Sequence, residues 1–153
     1  VGAAKSYLSL FVDDFNATLE THIRAAREVA ENNTNRSLKA HKYIYTSVVD
    51  DGELILPKTP ADAIEKVEYY NGTAWEDVNA ADYNSFEDVL EFNLLYDGAR
   101  VRVTYTTKAY SSENLTRLML ELVSCYFDNR PDQEEVEQNI INQIRKHQRW
   151  QVQ

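Results

Sequence analysis

The stretch from Arg100 to Arg130 constrains the fold most, because it holds both backbone periods in succession with little between them. Arg100-Val101-Arg102-Val103-Thr104-Tyr105-Thr106 alternates charged or polar residues with valine and tyrosine. A period of two places one set of side chains on a single face, which predicts a half-buried strand. Leu115, Leu118, Met119, Leu122 and Tyr126 then recur at i, i+3, i+4, i+7 and i+11, the stripe of a helix of roughly four turns. Ser111 or Ser112 suits the cap of that helix and Glu113 the positive end of its dipole. Asn129-Arg130-Pro131 ends it, since proline disfavours helical geometry in the residue before it.

The same two periods organise the flanks. Phe15, Leu19, Ile23, Ala26 and Ala30 form a second helical stripe behind an Asp13 cap. Glu20 with Arg24 and Arg27 with Glu31 stand at i, i+4, and the Asn32 to Asn35 run ends the helix after about 19 residues. Val1 to Val12 reads as an arm or short helix packed on the downstream chain. Beyond Pro131 a last helix has Glu134 and Glu135 in its first turn and Arg145, Lys146 and Arg149 at its end, both suited to the dipole. Its apolar face is a narrow row of Val136, Ile140, Ile141 and Ile144.

Between these helices, Lys42 to Thr107 has the texture of short strands. Asp51-Gly52, Asn71-Gly72 and Asp97-Gly98 are hairpin signals, because tight primed turns need positive φ. Three hairpins are expected: Tyr43 to Val49 with Glu53 to Leu56, Ile64 to Tyr70 with Trp75 to Val78, and Val89 to Leu95 with Arg100 to Thr106. Ala80 to Glu87 is expected to be a loop with one short extended piece. The fold class is therefore α+β, a helical bundle of N-terminal, central and C-terminal helices with an inserted antiparallel β-hairpin region. Residues 1–130 are expected to be the core and 131–153 a separable docking helix.

Chemistry is harder to find. His22, His41 and His147 lie far apart, with no cysteine or carboxylate at metal-ligand spacing. Cys125, the one cysteine, borders the apolar stripe of the central helix and is expected to be a buried structural thiol. Asp13-Asp14, Asp50-Asp51 and Glu134-Glu135 sit at helix starts or in a turn, where acidic side chains have structural reasons to be. The Asn-X-Ser/Thr triplets read as chance. No catalytic, cofactor or metal residues are assigned, and no cofactor is expected.

Charge limits the partners. Sixteen basic against twenty-five acidic side chains give a net charge of −9. That works against holding a phosphate backbone, although an acidic wall could face DNA that slides past it. No apolar run is long enough to span a membrane. The opening residues lack a secretory pattern, so intracellular folding is expected; the first residue is Val1, which leaves open what precedes it. Tyr43, Tyr45, Tyr69, Tyr70, Trp75, Tyr83 and Tyr96 exceed what a small sheet needs to bury. The first five are interface candidates, because aromatic side chains favour protein interfaces. Ile140 and Ile144 join them from the last helix, and Trp150 is the anchor candidate near its end.

Several phrases in order resemble the head-tail connector proteins of long-tailed bacteriophages, also called adaptor or head-completion proteins. They are Ile23-Arg24-Ala25-Ala26-Arg27-Glu28-Val29-Ala30-Glu31-Asn32 leading to Asn35-Arg36-Ser37-Leu38, then Leu56-Pro57-Lys58-Thr59-Pro60 continuing to Val67-Glu68-Tyr69-Tyr70, Trp75 and Tyr83. Val101-Arg102-Val103-Thr104-Tyr105-Thr106 and the helix ending Tyr126-Phe127-Asp128-Asn129-Arg130 complete the set. Lys108-Ala109-Tyr110 departs from the family's glycine-tyrosine after the strand. The resemblance implies a structural virion protein made in the host bacterial cytoplasm, not an enzyme. It implies a ring, typically of about twelve subunits, below the portal protein. Such a ring extends the DNA channel without binding DNA specifically, meets the portal through its C-terminal segment and carries the next neck or tail component. A small enzyme with a site in the tyrosine-rich sheet, or a module that takes a peptide at a sheet edge, are the alternatives from other classes.

Overall fold

The computed structural model describes residues 1–10, 14–128 and 132–148. The chain is α+β and divides into two compact units, one of helices from the two ends of the chain and one of strands, Ser37–Tyr110, from its middle.

The helical unit contains α1 (Gly2–Tyr7), α2 (Asn16–Thr34), α3 (Glu113–Asp128) and α4 (Gln133–Arg145). The central stripe packs as its period requires, with Leu115, Leu118 and Leu122 buried and joined by Val123 and Cys125. Leu19, Ala26 and Ala30 of α2 are buried as well. Burying each large aliphatic side chain contributes about 1.5–3 kcal/mol. Ser112 stands at the start of α3 with its Oγ 3.5 Å from the Leu115 N–H. Asn35 ends α2 in the left-handed region at φ 56°, a conformation its short polar side chain tolerates. The expected caps and stops at Asp13 and at 129–131 lie outside the described residues.

The last helix packs within this unit. Ile140 is 5% and Ile144 0% exposed, and α4 packs against both α2 and α3. Tyr126 Oη donates to Glu137 Oε1 at 2.9 Å, and Arg145 Nε donates to Asn33 Oδ1 at 2.9 Å. A narrow apolar row suffices to bury a helix that lies in the groove between two others.

The β unit contains β1 (Lys42–Val48), β2 (Glu53–Ile55), β3 (Ala61–Tyr70), β4 (Trp75–Asp77), β5 (Tyr83–Phe86), β6 (Val89–Phe92) and β7 (Arg100–Thr107). Two antiparallel sheets, β1-β7-β3-β4 and β2-β6-β5, enclose a core of Leu54, Leu56, Val67, Leu90, Phe92, Val101, Val103 and Tyr105. The strand read most clearly from sequence, β7, is central in its sheet. Its Val101, Val103, Tyr105 and Thr107 are all buried and the residues between them are not.

Of the three expected hairpins only β3–β4 forms, with Tyr70 opposite Trp75. Asp51-Gly52 makes the expected tight reversal, at φ 51° and 78°, closed by bonds between Asp50 and Glu53. The chain then changes sheet, so β1 pairs with β7 and β2 with β6. At Asp97-Gly98 the turn is of type II, with Asp97 at φ −61° and ψ 132° and Gly98 at φ 73°, and it too links different sheets. A turn signal governs four residues of backbone. Which strand lies alongside afterwards is decided by which face must be buried. The segment expected as a loop with one short extended piece supplies β5 as that piece, which forms a hairpin with β6 through Glu87 at φ 53°.

Candidate protein interface

Pairing places the five aromatic candidates on opposite faces of the four-stranded sheet. Tyr43, Tyr45 and Tyr69 point inward and are half-buried against the core. Tyr43 stacks on Tyr105 with ring centroids 5.7 Å apart. Tyr69 meets Tyr96 edge-on at 5.4 Å and donates its hydroxyl to Glu76 Oε2 at 2.6 Å, which holds its pKa above the usual tyrosine value. These three share a face with Val101, Val103 and Tyr105 and pack internally. Ile140 and Ile144 are buried within the helical unit. Trp150 lies outside the described residues.

Tyr70 and Trp75 are the pair that faces outward, 5.4 Å apart at one side of the sheet. Beside them the Arg102 guanidinium lies 4.5 Å from the Trp75 ring centroid and that of Arg100 6.0 Å. Arg102 also donates two bonds to Glu68, Nε to Oε2 at 2.9 Å and Nη2 to Oε1 at 2.8 Å. Lys66 Nζ bridges Glu68 Oε1 at 2.9 Å and Asp77 Oδ1 at 3.0 Å. These neighbours, Arg102 first and then Lys66, hold the Glu68 carboxyl down at about 2. At 6% exposure Glu68 is a covered carboxylate in the middle of an otherwise open face.

On the far side of that face stand two residues that sequence reading passed over. Ile44 is 69% and Val48 54% exposed, both on the outward phase of β1. The aromatic phase Tyr43, Tyr45 drew attention first, yet the alternation that buries it necessarily turns Ile44 and Val48 to solvent. Phe86, Leu94 and Leu95 are also exposed, the last two in a short 3-10 turn after β6.

Among the described residues the three histidines lie apart from one another. His22 lies beside Tyr126, His41 beside Tyr43, and His147 hydrogen-bonds Asn114. Among the described residues no three His, Cys, Asp or Glu side chains group as a metal site. The helical unit has a groove of about 370 Å³ lined by Tyr7, Cys125, Val136 and Ile140, where one carboxylate, Glu121, pairs with Arg117. None of its described helices is long and apolar enough to cross a membrane.

No family description matches the sequence, and no curated protein matches it. Solved structures do match the fold. A chain in the neck of an empty gene transfer agent particle, computed with C6 symmetry, superposes with a TM-score of 0.74 at 17% identity, over 99% of this chain and 90% of that one. A chain in the virion of a native gene transfer agent particle gives 0.70 at 17% identity, over 93% and 82%. A chain in the neck of the native particle, computed with C12 symmetry, gives 0.66 at 17% identity, over 90% and 85%. The chain has the fold of these neck components.

Proposed function

We propose that this protein is a structural adaptor of a phage-type neck, a helical bundle with an inserted β unit that assembles as a ring below the portal, extends the DNA channel and joins head to tail. The observation that carries this reading is the likeness to a neck chain over 99% of the present chain at a TM-score of 0.74, in an assembly computed with cyclic symmetry. A fold shared from end to end, including both units, supports a shared architectural task more than a borrowed module would. The acidic balance agrees: a channel wall built from chains of net charge −9 repels DNA and lets it pass without adhering.

In this reading the protein works in the virion neck and is made in the host bacterial cytoplasm. Its partners are further copies of itself, the portal protein and the next neck or tail component. The segment 131–153 is the portal-docking element, acting through the polar outer side of α4 and through Trp150 while the isoleucine row stays inside. Electron microscopy of the purified chain, alone and mixed with portal complexes, tests the proposal. Rings of about twelve subunits, seated on portals, are expected. A chain that stays monomeric and unbound in both samples would overturn it.

A further inference from the structure

From the two open edges of the four-stranded sheet we infer that neighbouring copies join edge to edge, β1 of one chain beside β4 of the next, so that their sheets run on into one another. This rests on the ring reading above and names the surfaces that make the ring.

The first observation is an unpaired edge. Thr107 N donates to His41 O, Val49 N donates to Ala99 O and Gly98 N to Val49 O, so the odd-numbered positions of β1 bond to β7. Alternation then turns the backbone N–H and C=O of Ile44, Thr46 and Val48 away from β7. Among the described residues no strand lies on that side and no loop backbone bonds to it. At the opposite edge Val78 N donates to Val67 O and Asn71 N to Ala74 O, which by the same alternation turns the backbone groups of Trp75 and Asp77 outward. Long edge strands with free backbone groups template pairing, and proteins that must avoid it place charges or proline there. Here β1 carries a charge only at its first residue, Lys42, and otherwise presents Ile44, Thr46 and Val48.

The second observation is direction. The order β1-β7-β3-β4 is antiparallel at every step. With an even number of alternating strands, β4 of a following copy meets β1 antiparallel without inversion of the copy. That is the head-to-tail relation a closed ring requires, since one patch must meet a different patch. A pairing of β1 with β1 would give only a two-fold dimer. The third observation is side-chain chemistry: Ile44 and Val48 on the β1 edge and Trp75 on the β4 edge, with Tyr70 behind it on β3, lie on the same outer face, so apolar and aromatic groups meet across the junction.

Proline scanning tests this, because Thr46→Pro removes an N–H that points away from the ladder with β7, a place where proline is tolerated. The full chain carrying Thr46→Pro should keep the wild-type circular dichroism spectrum and stay monomeric in analytical ultracentrifugation at concentrations where the wild type forms rings. Ile44→Asp, a change at a solvent-facing position of the β1 edge, should do the same and decides the matter where the proline variant fails to fold. Rings from both folded variants, as abundant as from the wild type, would overturn the inference and leave the neck reading standing. Normal rings that no longer take up the next neck component would assign the edge to another protein, and overturn it too. A wild type that makes no ring, alone or on portals, overturns the neck reading and this inference with it.

Discussion

Arg102 grips Glu68 with two hydrogen bonds, Nε to Oε2 at 2.9 Å and Nη2 to Oε1 at 2.8 Å, while its guanidinium plane rests 4.5 Å from the Trp75 ring. One side chain on the central strand thus ties β3 to β4 on the outer face.

That pairing makes stability depend on acid. The folded pKa of Glu68 is about 2, below the ordinary value of 4.5, so its contribution is fully present above pH 4.5 and is lost as pH falls towards 2. Glu68→Gln should lower the melting temperature at pH 7 and flatten the fall between pH 4.5 and 2, read by thermal denaturation across that range. An unchanged acid limb in the variant would show that other carboxylates govern it.

Tyr105 gives the alkaline counterpart. Burial is the main reason its phenol is pushed up to about 12, and its Oη accepts a bond from Lys58 N at 3.2 Å. Because the raised group holds its proton in the folded state, its contribution is intact below pH 10 and lost as pH rises towards 12. Tyr105→Phe should cost about 1 kcal/mol at neutral pH for the lost bond and weaken the alkaline fall, measured by urea unfolding at pH 7 and pH 11.

Ile144 tests whether the last helix is part of its unit. Replacing a fully covered isoleucine by alanine in a packed site costs about 2–5 kcal/mol, so Ile144→Ala should lower stability by that order in denaturant unfolding. A loss below about 0.5 kcal/mol would mean that α4 is dispensable to the bundle.

Cys125 is expected to be structural. It is buried and its thiol lies 3.6 Å from Gln133 O, so a thiol reagent should label native protein far more slowly than unfolded protein. Cys125→Ser should cost on the order of 1 kcal/mol, because a hydroxyl is harder to bury than a thiol.

Gly52 holds its turn by conformation. At φ +78°, with a Cβ placed only 3.3 Å from Phe92 O, Gly52→Ala should destabilise the β unit by about 1–2 kcal/mol in denaturant unfolding. A neutral effect would show that the backbone between β1 and β2 relaxes freely.

The sequence by itself determined what depends on neighbours a few residues away. The Leu115, Leu118, Leu122 stripe and the Val101, Val103, Tyr105 alternation locate α3 and β7, and Asn35 and Gly52 mark a helix end and a reversal, because periodicity and local steric preference act within one or two turns of backbone. The tertiary structure decided which surfaces face one another. Asp51-Gly52 turns the chain as read, but Val49 bonds to Ala99 and Leu54 faces the opposite sheet, so the hairpin inferred from the turn does not form. Tyr43 and Tyr70 are alike in sequence, yet strand pairing sends one inward and the other out beside Trp75. Ile144 reads as a partner-facing residue until α2 and α3 close over it, because burial is a property of the assembled elements and the free energy of covering apolar area is settled only when they meet.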